Sequence, residues 1–182
     1  VELEVVCVDN ASRDDSHAKA GAHPSAPKAV RSGVNLGYSG GNNLGVREST
    51  GPLLVFINPD CRVLPETLAA LVAPLTSEPA VAMCGARLYY PNSRRVQHAG
   101  GILHPNAMAE HHGMGQPDDP KWHTDRDVNY VTGALVAMRR ADFEALGGFD
   151  TDYHPAYYEE TDLAWRLRKL GRLIRYAGGA VA

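Results

Sequence analysis

Cysteine is scarce in this sequence: the 182 residues contain only three, Cys7, Cys61 and Cys84. Their number is odd and they lie far apart, whereas disulfide frameworks and zinc sites use paired or closely spaced cysteines. Each lies in or beside an apolar stretch, where a free cysteine behaves as a small apolar side chain. We therefore expect three unpaired core cysteines in a protein of a reducing compartment.

Long apolar runs and an excess of positive charge are also missing. No stretch approaches the roughly 18 apolar residues of a membrane-spanning helix, and no basic-then-apolar leader opens the sequence. Lys and Arg number 18 against 21 Asp and Glu, and this net charge of -3 argues against a nucleic-acid partner. We expect a soluble chain, with peripheral membrane association only through regions that are not in it.

Apolar strands that end in acidic residues alternate with helical patterns along the chain. One strand ends at Asp9, and a second, residues 53–57, ends just before Asp60. Such alternation predicts an α/β three-layer sandwich with a mostly parallel sheet, whose ligands bind at the carboxyl ends of the strands. The length predicts a single domain, residues 1–182, and strand-like sequence at both termini predicts an excerpt of a longer polypeptide.

The segment Asn58-Pro59-Asp60 directly follows the second strand. Proline ends the hydrogen-bond ladder of a strand, so the two oxygen-bearing side chains can both face a cleft there. A divalent cation such as Mg²⁺ typically binds one or two carboxylates together with phosphate oxygens of a substrate. Asn-Pro is also common in turns, so an ordinary turn is an open alternative.

A glycine-rich segment, NLGYSGGNNLG, runs from Asn35 to Gly45. Clustered glycines let a ligand approach the backbone, and a short helix predicted after them, over 44–49, would offer free N–H groups to a phosphate or a sugar hydroxyl. The segment lacks the Gly-Lys-Ser/Thr ending of a Walker A loop, and the strand before it is too weak for a dinucleotide-binding fingerprint. Taken alone, the segment fits a flexible turn as well as a binding loop.

Acidic residues crowd the start of the last predicted helix, in the sequence YYEETDLAWR. Glu159, Glu160 and Asp162 lie in its first turn, where carboxylates stabilise a helix through its dipole by about 0.3–1 kcal/mol each. Capping alone does not require two adjacent glutamates after two tyrosines. A carboxylate held among aromatic rings can have its pKa raised toward neutrality, which suits a general base.

Residues 91–127 lack periodicity and are rich in Gly, Pro, Asp and His. Loops of this length inside compact domains are usually functional or disordered. The region contains His98, His104, His111, His112 and His123. Their spacing matches no compact zinc motif, which favours substrate contact or solvent exposure.

Five segments, in this order and spacing, resemble the inverting glycosyltransferases of family 2, especially their rhamnosyltransferase-like branch. They are VCVDNASRD, NLGYSGGNNLG, FINPD, VTGALVAMRRADFEALGGFD and YYEETDLAWRLRKLG, and together they span nearly the whole chain. The resemblance implies the GT-A fold, a Rossmann-like α/β/α sandwich, here without the family's first strand and helix. It also implies sugar transfer from a nucleotide-diphosphate donor to a glycan or lipid-linked acceptor, in the cytoplasm or at the cytoplasmic face of the membrane.

The resemblance assigns one group of residues to the donor. These residues are Asp9, Asn35, Gly37, Gly41, Asn43, Asn58 and Asp60. Asp9 corresponds to the acid that contacts the base of a UDP- or dTDP-type donor. Asp60 corresponds to the last acid of a DxD motif, which holds Mg²⁺ or Mn²⁺ against the diphosphate. Asn58 replaces the first acid, so metal binding is expected to be weaker than with two carboxylates.

The resemblance also assigns the reacting groups. Glu160 corresponds to the acid that takes the proton of the acceptor hydroxyl as the sugar is transferred with inversion. Asp162 lies beside it, and Glu159 is a rival because the family's usual aspartate is one methylene shorter than Glu160.

A third group of residues is assigned to the acceptor. Gly133 and Ala134 correspond to a stretch under the acceptor site. We expect the loop region 91–127, with His111 and His112, to lie on the same side.

Two family features are absent from the sequence: the first strand and helix, and a metal-facing histidine just past a stretch such as AGGAVA. Together with Asn58, these absences leave open a non-catalytic nucleotide- or glycan-binding domain on the same fold. A nucleotidyltransferase, which also uses glycine loops and metal-binding acids, is a third alternative.

Overall fold

The computed structural model describes residues 3–182. Its strands are β1 (Val6–Asp9), β2 (Lys28–Arg31), β3 (Leu53–Ile57), β4 (Val81–Tyr89), β5 (Val96–His98), β6 (Gly101–Leu103), β7 (Ala109–His111), β8 (Arg126–Asp127), β9 (Leu135–Arg139) and β10 (Leu173–Val181). Its helices are α1 (Ser16–Gly21), α2 (Gly37–Arg47), α3 (Thr67–Ser77), α4 (Arg140–Ala145) and α5 (Glu159–Lys169), with 3-10 helices at Pro120–Trp122 and Thr151–Tyr153. Within this described part of the chain, every helix is too short or too polar to cross a membrane.

The central sheet has six strands, five of them in the order β3-β9-β4-β10-β8, with β5 paired to β4. β4 and β10 are parallel, whereas β9 runs antiparallel to both of its neighbours, β3 and β4. β5 and β8 are also antiparallel to their partners. The sheet is mixed, as predicted, but the expectation of mostly parallel pairing is wrong. The reason is that β9 lies between β3 and β4 and runs antiparallel to both. β1 and β2 form a separate parallel pair, and β6 and β7 a separate hairpin.

Side chains of the central strands alternate between two cores on opposite faces of the sheet. On β3, Leu54 and Phe56 belong to one core, and Leu53 packs against the other. The second core also receives Leu71 and Leu75 of α3. The first core receives residues of α2, α4 and α5, namely Val46, Phe143, Leu163 and Leu167. Helices therefore cover both faces, which confirms the predicted three-layer α/β/α sandwich.

The glycine-rich segment forms a helix rather than a loop. α2 begins at Gly37 and runs through the glycines to Arg47, whereas the sequence predicted a short helix only over 44–49. The helix packs closely on β1: a Cβ at Gly45 would lie 3.2 Å from the Cγ2 of Val8. Contact with β1 thus outweighs the low helix propensity of glycine.

Residues 91–127 are more ordered than the sequence predicts, since they contain β5, β6, β7, a 3-10 helix and β8. They have a small core of their own, in which Val96, Ala99 and Trp122 pack with Tyr176 of β10. The region is therefore attached to the central sheet by apolar packing.

Asp118 adds a charged anchor to the same region. Its carboxylate lies 3.0 Å from Nη2 of Arg94, 2.9 Å from Nε2 of His123 and 3.7 Å from Nη1 of Arg87 on β4. Burial alone would raise the pKa of Asp118, but hydrogen bonds with His123, Tyr89 and Arg94 hold it well below its usual range. The carboxylate is therefore charged and tied to the sheet.

The three cysteines are all free, but they do not share one environment. Cys84 is buried, Cys61 is partly buried and Cys7 is exposed. The prediction of a core cysteine is thus confirmed for Cys84 and wrong for Cys7. The physical reason is that β1 belongs to a small two-stranded sheet, and α1, the helix that contacts this sheet near Ala29, has no buried residues.

Candidate functional site

Asp9 lies at the carboxyl end of β1, with its side chain buried. Its Oδ1 accepts a hydrogen bond from the Ser12 amide at 3.0 Å, and its Oδ2 lies 3.2 Å from Nε of Arg31. These hydrogen bonds from Ser12, with the charge of Arg31, hold the pKa of Asp9 below its usual value. Next to it is a cleft of about 350 Å³ lined by Ala11, Arg31, Ser32 and Gly33. Asp9 is thus an ionised, fixed acceptor at the edge of a cleft.

Asn10 joins β1 to the glycine-rich segment. Its Nδ2 donates to Oδ1 of Asn35 at 3.0 Å and to the Gly37 carbonyl at 2.9 Å, and its Oδ1 accepts from the Leu36 amide at 2.8 Å. A Cβ at Gly41 would lie 3.3 Å from the same Nδ2. Asn10 was not among the residues predicted from the sequence, although its position directly after Asp9 was a signal that the same turn would use both side chains.

Replacing Asn10 by aspartate tests this junction. Asn10→Asp keeps the acceptor for Leu36 but removes both donated hydrogen bonds and places a charge beside two oxygens. We expect the free energy of unfolding, measured by chemical denaturation, to fall by about 1–3 kcal/mol. Asn106→Asp is the control, because the exposed Asn106 side chain only accepts a hydrogen bond, from the Met108 amide. Equal stability of the two variants would contradict the role given to Asn10.

The other two predicted residues of the glycine-rich segment are Gly37 and Asn43. Gly37 packs against the loop before α5, and Asn43 hydrogen-bonds to the turn after α4. Gly37 has a φ of 69°, and a Cβ there would lie 2.6 Å from the Pro155 carbonyl oxygen. Asn43 donates to the Phe149 carbonyl at 2.8 Å and accepts from the Phe149 amide at 3.1 Å. Both polar atoms of the Asn43 side chain are thus engaged by Phe149, and its contact with a nucleotide donor remains a prediction.

Asn58, Pro59 and Asp60 form a turn at the end of β3. The Cys61 amide donates to the Asn58 carbonyl at 3.0 Å, and the Asn58 amide donates to the Ala134 carbonyl at 2.9 Å. Asn58 is half-buried and Asp60 is exposed. The turn alternative is therefore correct for the backbone, and the same turn leaves the Asp60 carboxylate open to a ligand.

The donor set around Asp60 fits a metal that arrives with its substrate. Within residues 3–182, no three His, Cys, Asp or Glu side chains lie together in a way that could hold a metal ion. An exposed carboxylate beside an amide oxygen supplies only part of the shell of Mg²⁺ or Mn²⁺, and phosphate oxygens commonly complete such a shell. Asp60 and Asn58 therefore fit a cation shared with a diphosphate.

Glu159 and Glu160 begin α5. Glu159 is 4% exposed, and burial raises its pKa. Its Oε2 has no hydrogen-bond partner among the residues that the structure describes. Burial, together with the charge of Glu159, raises the pKa of Glu160 to about 7. Burial, with a smaller contribution from the charge of Glu160, raises the pKa of the Tyr38 and Tyr130 phenols. Glu160 can thus exchange a proton near neutral pH.

Asp162, the third acid of this helix, is engaged in an ion pair. Its Oδ2 lies 2.7 Å from Nε of Arg166, one turn along α5. The same guanidinium donates to the carbonyls of Leu146 and Gly148 at 2.8 and 3.1 Å. Asp162 therefore holds α5 against the turn after α4, and a catalytic part for it remains a prediction.

Gly133 and Ala134, before β9, lie between α2 and the Asn58 turn. The Gly133 carbonyl accepts a hydrogen bond from the Tyr38 hydroxyl at 2.7 Å, and the Ala134 carbonyl accepts from the Asn58 amide. The stretch predicted to lie under the acceptor is thus bonded directly to the turn of Asn58 and Asp60. It is also bonded to Tyr38, a phenol whose pKa the charge of Glu160 helps to raise.

His111 and His112 lie in different surroundings. The His111 ring packs 4.6 Å from the buried His98 ring and 5.9 Å from the Tyr130 ring, and burial lowers its pKa. His112 instead borders a second cleft of about 330 Å³ near the end of α5. His111 packs on Tyr130, a phenol whose pKa is raised by burial and by the charge of Glu160, whereas His112 lines the second cleft. The two histidines therefore do not form one site.

Known proteins share the sequence pattern of this chain. The family model described as "Glycosyl transferase family 2" matches residues 2–147, a range that ends before Glu159 and Glu160. An O-antigen biosynthesis protein, RfbC of Myxococcus xanthus, is 34% identical over 74% of this chain. An N-acetylglucosaminyl-diphospho-decaprenol L-rhamnosyltransferase of Mycobacterium tuberculosis is 26% identical over 98% of it. The chain spans only 11% and 65% of these two relatives, respectively.

A crystal structure of GalNAc-T7 with UDP, GalNAc and Mn²⁺ superimposes with a TM-score of 0.77 at 16% identity, over 98% of this chain and 37% of that protein. At this identity the likeness concerns the fold, and it confirms the predicted GT-A architecture. The family match over residues 2–147 covers most of the chain. The chain therefore belongs to glycosyl transferase family 2.

Proposed function

We propose that this chain is the catalytic domain of an inverting glycosyltransferase that moves a sugar from a nucleotide-diphosphate sugar to a glycan or lipid-linked acceptor. The observation that carries the proposal is Glu160 in the first turn of α5, a carboxyl group whose pKa is raised by burial to about 7. A group that titrates near neutral pH at the ligand edge of the sheet suits removal of a proton from a hydroxyl.

In the proposed reaction, Glu160 takes the proton of an acceptor hydroxyl. The oxygen then forms a bond to the anomeric carbon on the face opposite the diphosphate. The bond between the anomeric carbon and the phosphate oxygen breaks, and its electron pair leaves with the nucleoside diphosphate. Attack from the opposite face inverts the configuration of the sugar.

On the donor side, Asp9 and Asn35 would border the nucleoside of a UDP- or dTDP-type donor. Asp60, with the Asn58 amide oxygen, would hold Mg²⁺ or Mn²⁺ against the phosphates. A bound cation of this kind neutralises charge on a departing diphosphate. The Mn²⁺ in the GalNAc-T7 structure supports this choice of metals.

On the acceptor side, we place Gly133, Ala134 and the region 91–127, with His111 packed against Tyr130 and His112 in the second cleft. A lipid-linked acceptor would bring the whole protein to the cytoplasmic face of a membrane, and a soluble glycan would leave it in the cytoplasm. The rhamnosyltransferase of M. tuberculosis, named for a lipid-linked diphosphate sugar, supports the first of these.

The test begins with thermal shifts of the full-length protein. UDP, dTDP and GDP are added with and without Mn²⁺, because a ligand of the folded state raises the unfolding temperature. The nucleotide-sugar of the best binder is then incubated with alkyl glycosides, and the anomeric configuration of the product is determined by NMR. We expect Mn²⁺-dependent stabilisation and an inverted glycoside.

Other outcomes distinguish the alternatives. Nucleotide binding without formation of a glycoside or free sugar would favour a non-catalytic binding domain. The observation that favours this alternative is that the turn carries only one carboxylate, Asp60. Release of pyrophosphate from a nucleoside triphosphate would instead identify a nucleotidyltransferase. Retention of the anomeric configuration would overturn the direct inverting step.

A further inference from the structure

Tyr38 contacts three separate parts of the chain from the first turn of α2. Its hydroxyl donates to the Gly133 carbonyl at 2.7 Å, and its backbone amide donates to the Pro155 carbonyl at 2.9 Å. Its ring packs edge-to-face against Phe149, with the centroids 5.4 Å apart. One residue therefore joins the stretch before β9, the turn after α4 and the loop before α5.

The neighbours of Tyr38 leave almost no free space around these contacts. A Cβ at Gly133 would lie 2.5 Å from the Tyr38 hydroxyl oxygen, and a Cβ at Gly37 would lie 2.6 Å from the Pro155 carbonyl oxygen. Both distances are too short for any side chain, so two glycines are needed to let the backbones approach Tyr38. The close fit limits how far the three segments can move relative to one another.

The partners of Tyr38 are themselves fixed to the candidate site. Ala134 follows Gly133 and accepts a hydrogen bond from the Asn58 amide, while Phe149 is held by both amide atoms of Asn43. Pro155 lies four residues before α5. A shift of Tyr38 would therefore displace the turn of Asn58 and Asp60 and the start of α5, the helix that carries Glu160.

We propose that Tyr38 is a positioning residue that fixes Gly133 and Ala134 against the start of α5, so that an acceptor hydroxyl meets the Glu160 carboxylate. This inference rests on the proposed function. The ring alone would fill the space and pack on Phe149, so the hydroxyl has a separate role, which is to satisfy the carbonyl of the buried Gly133. Desolvation raises the pKa of the half-buried Tyr38, so its hydroxyl stays protonated and can donate.

The test is Tyr38→Phe in the full-length protein. Hydrogen exchange without substrate comes first, because the Asn58 amide is bonded to Ala134 and reports the position of that stretch. We expect this amide to exchange about tenfold faster, which corresponds to about 1.4 kcal/mol. Tyr90→Phe, a half-exposed tyrosine at the end of β4, is the control and should leave it unchanged.

Kinetics with octyl glycosides as acceptors then separate positioning from general loosening. We expect the KM for the acceptor to rise about tenfold in Tyr38→Phe. The UDP concentration that gives half of the maximal thermal shift, measured with Mn²⁺, should stay unchanged. Unchanged exchange at Asn58, or an equal loss of acceptor and nucleotide binding, would overturn the proposal. A wild-type protein that transfers no sugar would refute the proposed function, whereas exchange still tests the Tyr38 contact.

Discussion

Glu160→Gln should reduce sugar transfer by about 10²–10⁴-fold, the usual contribution of a general base. Glutamine has nearly the shape of glutamate but cannot take the proton of the acceptor hydroxyl. We place the nucleotide on the side of Asp9 and Asp60, so we expect the thermal shift caused by UDP and Mn²⁺ to persist. The variant should also unfold at no lower temperature above pH 7. Burial raises the pKa of Glu160 because it disfavours the charged form, and glutamine carries no charge to bury.

Glu159→Gln is the matched variant, since the two glutamates are adjacent and rival candidates. It should keep most of the activity. Because the charge of Glu159 helps to raise the pKa of Glu160, removing it should move the pH midpoint of kcat/KM below that of the wild type. If Glu159→Gln were inactive and Glu160→Gln active, Glu159 would be the base.

The wild-type pH profile follows from the same carboxyl group. Below about pH 7 the Glu160 carboxyl holds a proton and cannot accept another, so kcat/KM should fall about tenfold per pH unit toward acid. The titratable groups that face it are Glu159 of the same helix, Tyr38 of α2 and Tyr130 before β9. Both phenols have a raised pKa, so neither supplies the acidic limb.

Asp60→Asn should lower transfer about 100-fold and remove the effect of Mn²⁺ on nucleotide binding. The substitution leaves two amides at the turn and no charge, whereas a divalent cation shared with a diphosphate needs at least one carboxylate. Binding of Mn²⁺ is measured by electron paramagnetic resonance in the presence of UDP, which is independent of turnover. We expect the bound signal to be lost in the variant.

Glu66→Gln provides the control for Asp60, because Glu66 is an exposed acid six residues further along the chain. It should leave Mn²⁺ binding and transfer unchanged. Full Mn²⁺ binding in Asp60→Asn would place the cation elsewhere. The turn itself should survive, since it is closed by the backbone bond from Cys61 to Asn58.

The local elements were predictable because their patterns are local. The apolar run over 53–57 became β3, and the helical spacing after residue 66 became α3. The insertion of β9 between β3 and β4 was not predictable, because it depends on pairing across about 80 residues of sequence. The helix through the glycines was missed for a similar reason: Gly41 and Gly45 are explained only by the approach of Asn10 and Val8.

The site divides in the same way. Asp9, Asp60 and Glu160 could be picked out because acids at strand ends and at a helix start are visible in the sequence. Asn10 and Tyr38 act through partners 25 to 27 and 95 residues away, respectively. Their residue types give no hint of those partners, so only the folded chain identifies them.

The charged anchor of the region 91–127 stays ionised throughout the pH range in which Glu160 titrates. Asp118 has a pKa far below its usual range, so its contribution to stability is present above the unfolded pKa of about 4 and is lost only in stronger acid. Burial lowers the pKa values of His98, His111 and His112, which favours their uncharged forms. The Asp118 anchor of the region assigned to the acceptor therefore keeps its charge in the pH range in which Glu160 titrates.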